Sequence, residues 1–270
     1  IYKGLDIGSG KISKKMLESY PHFLLDIIEP EESYSAARFK KDCLTEIEKA
    51  HNNGQIPLLV GGTMLYFNTL VEGISDMPES NEEVRKKVET YIADEGLSEA
   101  YVKLSKIDPI SASRIHCNDT QRIQRALEVF ELTNKPLSDW QQNHVNLSPL
   151  KQYDHYQFSI DPGDREEHRK IVKDRFLKMI ESGLVEEVEN LLKRPGLTSD
   201  HASMKSVGYR QVCNFLLDKI SYDEMIERSI ISTRQLAKRQ MTWLRKWSNL
   251  FWLTKNKSES TLKILNQINL

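Results

Sequence analysis

A chain of 270 residues is long enough for one large domain or two unequal ones with a substantial core. Charged side chains make up 29% of it, yet the formal net charge is -1, so any nucleic-acid-binding surface must be local. Cys43, Cys117 and Cys213 lie far apart without CxxC spacing, which suggests neither a zinc site nor a disulfide framework and favours reduced cytoplasmic thiols. No signal peptide is visible in the given residues, and no apolar run approaches the ~20 residues of a membrane span.

Residues 4–13 contain the string Gly8-Ser9-Gly10-Lys11, which is similar to the end of a phosphate-binding P-loop. The spacing does not fit that motif, because Gly4, which would be its first glycine, lies one residue too far from Gly10. Ile12 also occupies the Mg²⁺-binding Ser/Thr position. No apolar strand precedes the string. We therefore interpret this segment as a surface turn.

The next segments predict a β-α-β unit. Residues 23–28 form a short apolar strand, and residues 33–50 have the periodicity of an amphipathic helix that ends at Asn53-Gly54. Residues 56–60 are apolar without polar alternation, which predicts a strand buried on both faces, as in a parallel sheet. The crossover between the strands should be right-handed.

A glycine turn, Gly61-Gly62-Thr63, separates this strand from an apolar-periodic helix. The glycines let the backbone turn sharply and approach a ligand, and Thr63 suits a helix N-cap. Because helix N-termini at the ends of parallel strands favour anions, the turn predicts a phosphate or pyrophosphate subsite. A turn that serves packing alone is the alternative, and the residues leave both open.

The character of the chain changes after Gly73. Residues 76–118 are rich in charge and contain no evident strand, and they predict helices over 82–94, 97–107 and 109–115. We therefore predict a helical insertion at 76–140 in an α/β core whose parts are residues 1–75 and 141–270.

A further helix, over residues 119–132, has Asp119 placed as its cap. Arg122 and Arg125 share one face of it, while Ile123 and Leu127 share another. The arginines could contact a ligand or simply face solvent.

The last part of the chain predicts a mixture of strands and helices after a polar loop at 139–152. The predicted strands are 156–160 and 251–253, and the predicted helices are 164–180, 184–193, 209–218, 222–246 and 262–268.

The helix over 222–246 carries a basic segment. From residue 228 to 246 every ionisable side chain is basic, and Trp243 and Trp247 lie among them. The basic residues are Arg228, Arg234, Lys238, Arg239, Arg245 and Lys246. Basic and aromatic side chains on one helix are typical of a nucleic-acid surface, and a solvated cationic face is the alternative.

Motifs spread over the whole chain carry a resemblance to one family. They are Asp6-Ile7-Gly8, Tyr34-Ser35-Ala36-Ala37, Leu58 to Phe67, Arg114-Ile115-His116, Asp119 with Gln121-Arg122, Arg125 to Val129, Val207 to Gln211 and Thr233 to Gln240. In these motifs the sequence resembles tRNA dimethylallyltransferase, the bacterial tRNA isopentenyltransferase. It departs at Ser9-Gly10 and Ile12, where that family usually has Thr-Ala and Pro.

The resemblance implies transfer of a dimethylallyl group from dimethylallyl diphosphate to N6 of the adenosine 3′ of the tRNA anticodon, with Mg²⁺. It implies a fold of class α/β, with a P-loop NTPase-like parallel-sheet core and an inserted all-helical domain. It also implies a cytoplasmic monomer. The family's P-loop and general-base Asp precede the segment matched by Ile1, so we expect both to lie outside a sequence that opens without Met.

The resemblance also assigns roles to individual residues. It implies that Arg175 contacts the diphosphate, that Thr63 lies close to the target adenosine, and that both serve catalysis. Residues implied to contact tRNA are Thr63, Arg85, Gln121, Arg122, Ile123, Gln124, Arg125, Lys205, Ser206, Val207, Gly208, Tyr209, Arg210, Lys238, Arg239, Gln240, Met241, Thr242, Trp243, Leu244 and Arg245.

Two other functions are compatible with parts of the sequence. The α/β pattern alone would permit a P-loop-type small-molecule kinase, although the basic segment and the lack of an adenine-site signature argue against it. A non-catalytic RNA-binding module would follow if the chain were used without the expected upstream segment.

Overall fold

The structure is a computed structural model that describes residues 1–75, 77–142 and 148–268. Its helices, in chain order, are α1 Lys14–Ser19, α2 Ala36–Asn52, α3 Met64–Val71, α4 Glu82–Glu95, α5 Leu97–Ile107, α6 Pro109–Arg114, α7 Thr120–Thr133, α8 Leu137–Gln142, α9 Arg165–Glu181, α10 Leu184–Leu192, α11 Tyr209–Leu216, α12 Tyr222–Leu244 and α13 Lys257–Gln267. The strands are β1 Gln157–Ile160 and β2 Leu250–Leu253. The fold is therefore helix-rich with a small parallel sheet.

The chain divides into two compact units. The main unit combines Ile1–Thr69 with Leu150–Leu270, and the second unit is the continuous segment Leu70–Pro149. Each has its own hydrophobic core.

The core of the main unit forms where α9 to α12 pack together. Leu184, Val188 and Leu191 recur at helical spacing on α10 and are buried, because that stripe faces its neighbours. Phe176 of α9 and Tyr209 of α11 belong to the same cluster. This packing fixes the helices that carry most of the site described below.

Strands β1 and β2 form a two-stranded parallel sheet, paired from Gln157 with Leu250 to Ile160 with Leu253. Both correspond to predicted strands, at 156–160 from its alternation and at 251–253. The predicted strand at 23–28 is present only as one parallel bridge between Ile28 and Tyr2.

The prediction of a buried strand at residues 56–60 is wrong. The segment belongs to neither β1 nor β2, and Ile56, Leu58 and Val60 are 66%, 80% and 85% exposed. An apolar run becomes a buried strand only where neighbouring strands and a second layer cover it. Nothing in the described part of the chain pairs with this run.

The second unit packs α4, α5 and α7 around a core that includes Leu104, Ile123 and Leu127. Asp108 is almost fully buried and joins two of its segments, since its carboxylate accepts from the N–H groups of Ser111 and Ser138 at 2.9 Å each. Burial would raise the pKa of Asp108, but these hydrogen bonds outweigh it and lower the pKa below its ordinary value.

Smaller differences from prediction lie at loops and ends. Helix α8 begins before the predicted polar loop at 139–152 and extends into it as far as Gln142, and residues 143–147 of that loop lie outside the described residues. Helix α13 starts at Lys257, earlier than predicted, because Asn256 caps it. None of the helices described is both long and apolar enough to cross a membrane.

Candidate functional site

An open pocket of about 600 Å³ lies between the turn at residues 5–11 and helix α9 in the main unit. Three cationic and two acidic side chains line it, so the pocket has a local excess of positive charge. They are Lys11, Arg175 and Lys178, with Asp6 and Asp174. Such a lining suits a small anion with several oxygens.

Arg175 reaches this pocket because its neighbour Phe176 is buried, which leaves Arg175 on the outer face of α9. Its guanidinium rests on the turn, since a Cβ placed on Gly10 would lie 2.5 Å from Nη2. Among the residues that the structure describes, Arg175 has no ion-pair partner. A guanidinium held in place but not neutralised is available for a phosphate oxygen.

Lys11 closes the turn from the other side. Its ammonium is paired with the carboxylates of Asp6 and Asp26, and only 8% of its side chain is exposed. Burial would lower its pKa, but the two carboxylates outweigh burial and raise it. Lys11 is therefore cationic at neutral pH and ties the turn to the segment around Asp26.

The turn is also held from below by Glu187 of α10. Its carboxylate accepts from the N–H groups of Asp6, Ile7 and Gly8 at 3.1, 2.7 and 3.3 Å. The Tyr209 hydroxyl donates to Glu187 at 2.6 Å and accepts from the N–H of Ser9 at 3.1 Å. Burial, followed by the bond to Glu187, raises the pKa of Tyr209, so its proton stays in place.

The glycine turn 61–63 does not line this pocket, as far as the described residues show. Thr63 is exposed and precedes α3, and its carbonyl accepts from the N–H of Tyr66 at 2.9 Å. The carbonyl of Gly62 accepts from Nε2 of Gln240 on α12 at 2.8 Å. Two of the sequence-predicted positions, the glycine turn and helix α12, are thus brought together.

We expect Gly62→Ala to reveal this contact. A Cβ at Gly62 would lie 2.5 Å from Nε2 of Gln240, so the methyl group displaces the amide and removes a hydrogen bond worth about 1 kcal/mol, a loss that the restricted unfolded chain of alanine only partly offsets. Gly62 does not have a positive φ, so alanine fits its backbone. In a Gln240→Ala background the same change should instead stabilise by about 0.4–1 kcal/mol.

Chemical denaturation of the four proteins in this cycle, measured by circular dichroism, checks the prediction. An equal effect of Gly62→Ala in both backgrounds would show that Gln240 does not occupy that space.

The basic segment of α12 is exposed as predicted. Arg228 is paired with Glu224 at 2.9 Å, whereas the later basic residues have no ion-pair partner in the part of the chain described here. These are Arg234, Lys238, Arg239, Arg245 and Lys246. Trp243 is 41% exposed beside them, and its ring lies 6.5 Å from that of Trp247. Unpaired cations with exposed aromatics fit a nucleic-acid backbone and its bases.

The other predicted tRNA-contacting positions in the main unit differ in exposure. Lys205, Ser206 and Arg210 are exposed, whereas Gly208 and Tyr209 are buried. Only the exposed side chains can touch a macromolecule directly. Contact of this stretch with tRNA stays a prediction.

The predicted tRNA-contacting positions on the second unit also include both exposed and buried side chains. Arg85 and Gln124 both bond to Glu89, so they lie together on one face. Gln121 and Arg122 are exposed on α7.

Two neighbours on α7 face inwards. Ile123 is fully buried in the core of the second unit. Arg125 is partly buried, with Nη2 donating to the carbonyl of Pro78 at 2.7 Å. Their side chains support the helix that carries the exposed residues.

Sequence reasoning missed Lys11 and Lys178, which line the pocket, and Glu187, which holds the turn beside it. The string Gly8-Ser9-Gly10-Lys11 was a signal for Lys11, but it was interpreted as a surface turn because its spacing does not fit a P-loop. No sequence signal pointed to Glu187, because it meets the turn from 180 residues away.

A pocket lined by Lys11, Arg175 and Lys178 and a basic, tryptophan-bearing helix within one unit fit a protein that handles a phosphorylated small molecule and a nucleic acid. The model of one protein family, described as IPP transferase, matches residues 1–247. The chain belongs to this family, which confirms the resemblance seen in the sequence and makes it a prenyl-group transferase.

Solved structures agree. The tRNA isopentenylpyrophosphate transferase of Bacillus halodurans is 30% identical with a TM-score of 0.68, over 100% of this chain and 84% of that one. The tRNA delta(2)-isopentenylpyrophosphate transferase of Staphylococcus epidermidis is 28% identical with a TM-score of 0.65, over 99% and 87%. A eukaryotic dimethylallyltransferase acting on tRNA is 25% identical with a TM-score of 0.78, over 98% and 69%.

Proposed function

We propose that this protein transfers a dimethylallyl group from dimethylallyl diphosphate to N6 of the adenosine 3′-adjacent to the anticodon in tRNA, releasing diphosphate. Family membership supports the prenyl transfer, and the solved relatives that act on tRNA support the acceptor. The single observation that carries the donor site is the pocket in which Arg175 lies unpaired against the turn.

Arg175 stabilises the leaving diphosphate. As the allylic carbon–oxygen bond breaks, the electron pair goes to the bridging oxygen and negative charge grows there. A planar guanidinium binds two phosphate oxygens at once, and its hydrogen bonds to them strengthen as this negative charge grows. Lys178, on the same face of α9, adds a second cation at the pocket.

The exposed basic residues that follow Arg228, which have no ion-pair partner among the described residues, bind the tRNA backbone in this proposal. Exposed Trp243 offers a ring on which an unstacked base can lie, as RNA-binding proteins use for loop nucleotides. Thr63, which stands beside Gly62 and its bond to Gln240, places the adenosine next to this surface.

Mg²⁺ belongs to the proposal through the resemblance. In the described residues no group of three or more His, Cys, Asp or Glu side chains is placed to hold a metal ion. Mg²⁺ that enters with a diphosphate needs only one or two carboxylates from a protein, and it would neutralise phosphate charge. The roles given above to Arg175 and the basic helix do not depend on it.

Incorporation of a labelled dimethylallyl group into unmodified tRNA by the full-length protein, with Mg²⁺ present, tests the proposal. Labelled ATP with small-molecule acceptors is the parallel assay for a kinase. Prenylation without phosphoryl transfer is expected. Binding of tRNA with neither reaction would instead support an RNA-binding module.

We expect charge removal at Lys238 and Arg239 to weaken tRNA binding and its dependence on salt. Each lost phosphate contact reduces the slope of log affinity against log salt by about 0.7–0.9, because fewer counterions are released. Titrations at several salt concentrations with Lys238→Gln and Arg239→Gln measure this slope.

Arg228→Gln is the matched control on the same helix, since Arg228 is already paired with Glu224. Its slope should equal that of the unmodified protein. Unchanged slopes for Lys238→Gln and Arg239→Gln would mean that this face of α12 is merely solvated.

A further inference from the structure

We propose that Glu187 is a positioning residue for the diphosphate pocket. Its carboxylate accepts hydrogen bonds from successive backbone N–H groups of the turn 5–9. These bonds fix the turn and so hold Gly10 against the guanidinium of Arg175. This inference rests on the proposed function and deepens it.

The backbone N–H groups of the turn converge on Glu187. Three successive N–H groups, from Asp6 to Gly8, converge on one carboxylate, and the Tyr209 hydroxyl donates to it as well. Converging backbone N–H groups form an anion-binding concavity. Here the anion is Glu187, so this concavity is already occupied and external phosphate has to bind on the other side of the turn.

The turn is also closely packed at Gly8. A Cβ on Gly8 would lie 2.6 Å from the Tyr209 ring and 2.8 Å from Leu184. The turn is therefore seated directly on helices α10 and α11, with no room to shift towards them. Its position depends on the hydrogen bonds that hold it there.

Gly10 connects the turn to the pocket. From the seated residues the turn continues through a bond from the Gly10 N–H to the Ile7 carbonyl, at 3.0 Å. Gly10 in turn touches Arg175. A turn released from Glu187 would move Gly10, and the guanidinium would lose the surface on which it rests.

Glu187→Gln in the full-length enzyme tests the proposal. The amide is nearly the same size, but its NH₂ group would face backbone N–H donors and repel them. We expect the Kd for inorganic pyrophosphate, by calorimetry, to rise about tenfold. The KM for dimethylallyl diphosphate should rise in parallel, whereas the Kd for tRNA should change less than about twofold.

Glu186→Gln is the matched control, since Glu186 is exposed on the same turn of α10. It should leave all three quantities unchanged. If Glu187→Gln proves too unstable to measure, Tyr209→Phe removes one contact to the carboxylate and the bond from the Ser9 N–H, and it keeps the three backbone bonds to Glu187. We expect about a threefold rise in the pyrophosphate Kd from it.

A double-mutant cycle separates positioning from general stability. In an Arg175→Ala background, Glu187→Gln should raise the pyrophosphate Kd less than about threefold, because the group that it positions is gone. Full additivity, or a Glu187→Gln protein that matches Glu186→Gln, would overturn the role of Glu187. If pyrophosphate binding did not depend on Arg175 at all, the pocket assignment itself would fall.

Discussion

Arg175→Ala in the full-length enzyme should lower kcat by about two orders of magnitude, a loss on the order of 3 kcal/mol of transition-state stabilisation. Arg175 has no ion-pair partner among the residues described, so its guanidinium is available to bind the bridging oxygen as the diphosphate leaves. A donor that strengthens during bond breaking affects turnover as well as binding. Steady-state kinetics with saturating tRNA measure the effect.

Arg175→Lys should recover only part of this loss, because a point charge replaces a planar fork. Lys173→Ala is the control, since Lys173 is exposed on α9 and does not line the pocket. Affinity for tRNA should hardly change in any of these proteins. Loss of tRNA affinity with normal turnover of bound substrate would move Arg175 to the RNA surface.

Ile123→Ala should destabilise the second unit by about 2–5 kcal/mol. The side chain, on α7, is fully buried in the core of the second unit, and its truncation leaves a cavity in a core of limited size. Thermal or chemical unfolding, followed by hydrogen exchange of residues in α7, measures the loss. The family resemblance placed Ile123 at the tRNA, so this result would give it a supporting role.

Arg122→Ala is the comparison for the neighbouring position. Its side chain is 73% exposed in an ion pair with Asp119, and an exposed pair contributes only about 0–1 kcal/mol to stability. We expect it to reduce the salt dependence of tRNA binding with little change in unfolding. A stable Ile123→Ala protein with weakened tRNA binding would contradict the assignment of Ile123 to the core.

Local signals predicted the helices well. Asp119 was expected to cap α7, and its carboxylate accepts from the N–H of Arg122 at 3.2 Å. The predicted helix at 82–94 corresponds to α4, Glu82–Glu95, and the strand at 156–160 to β1. Caps and periodicity act within a few residues, so the sequence displays them directly.

Long-range features were harder to predict. The apolar run at 56–60 was interpreted as a buried strand, yet burial depends on what packs against a segment, which its own residues do not specify. Glu187 is a similar case. One carboxylate among several on α10 gives no sign that it reaches a turn near the start of the chain.

The two units differ in how soon they can fold during synthesis. The second unit is continuous, whereas the main unit needs residues on both sides of it, such as the turn 5–9 and Glu187. Ser148 donates to the carbonyl of Leu70 at 3.3 Å, so the chain enters and leaves the second unit at neighbouring points. Once folded, that unit has already closed a loop of about 80 residues, an entropic cost of about 4 kcal/mol. Changes that loosen the second unit therefore delay assembly of the pocket, even where they touch none of its residues.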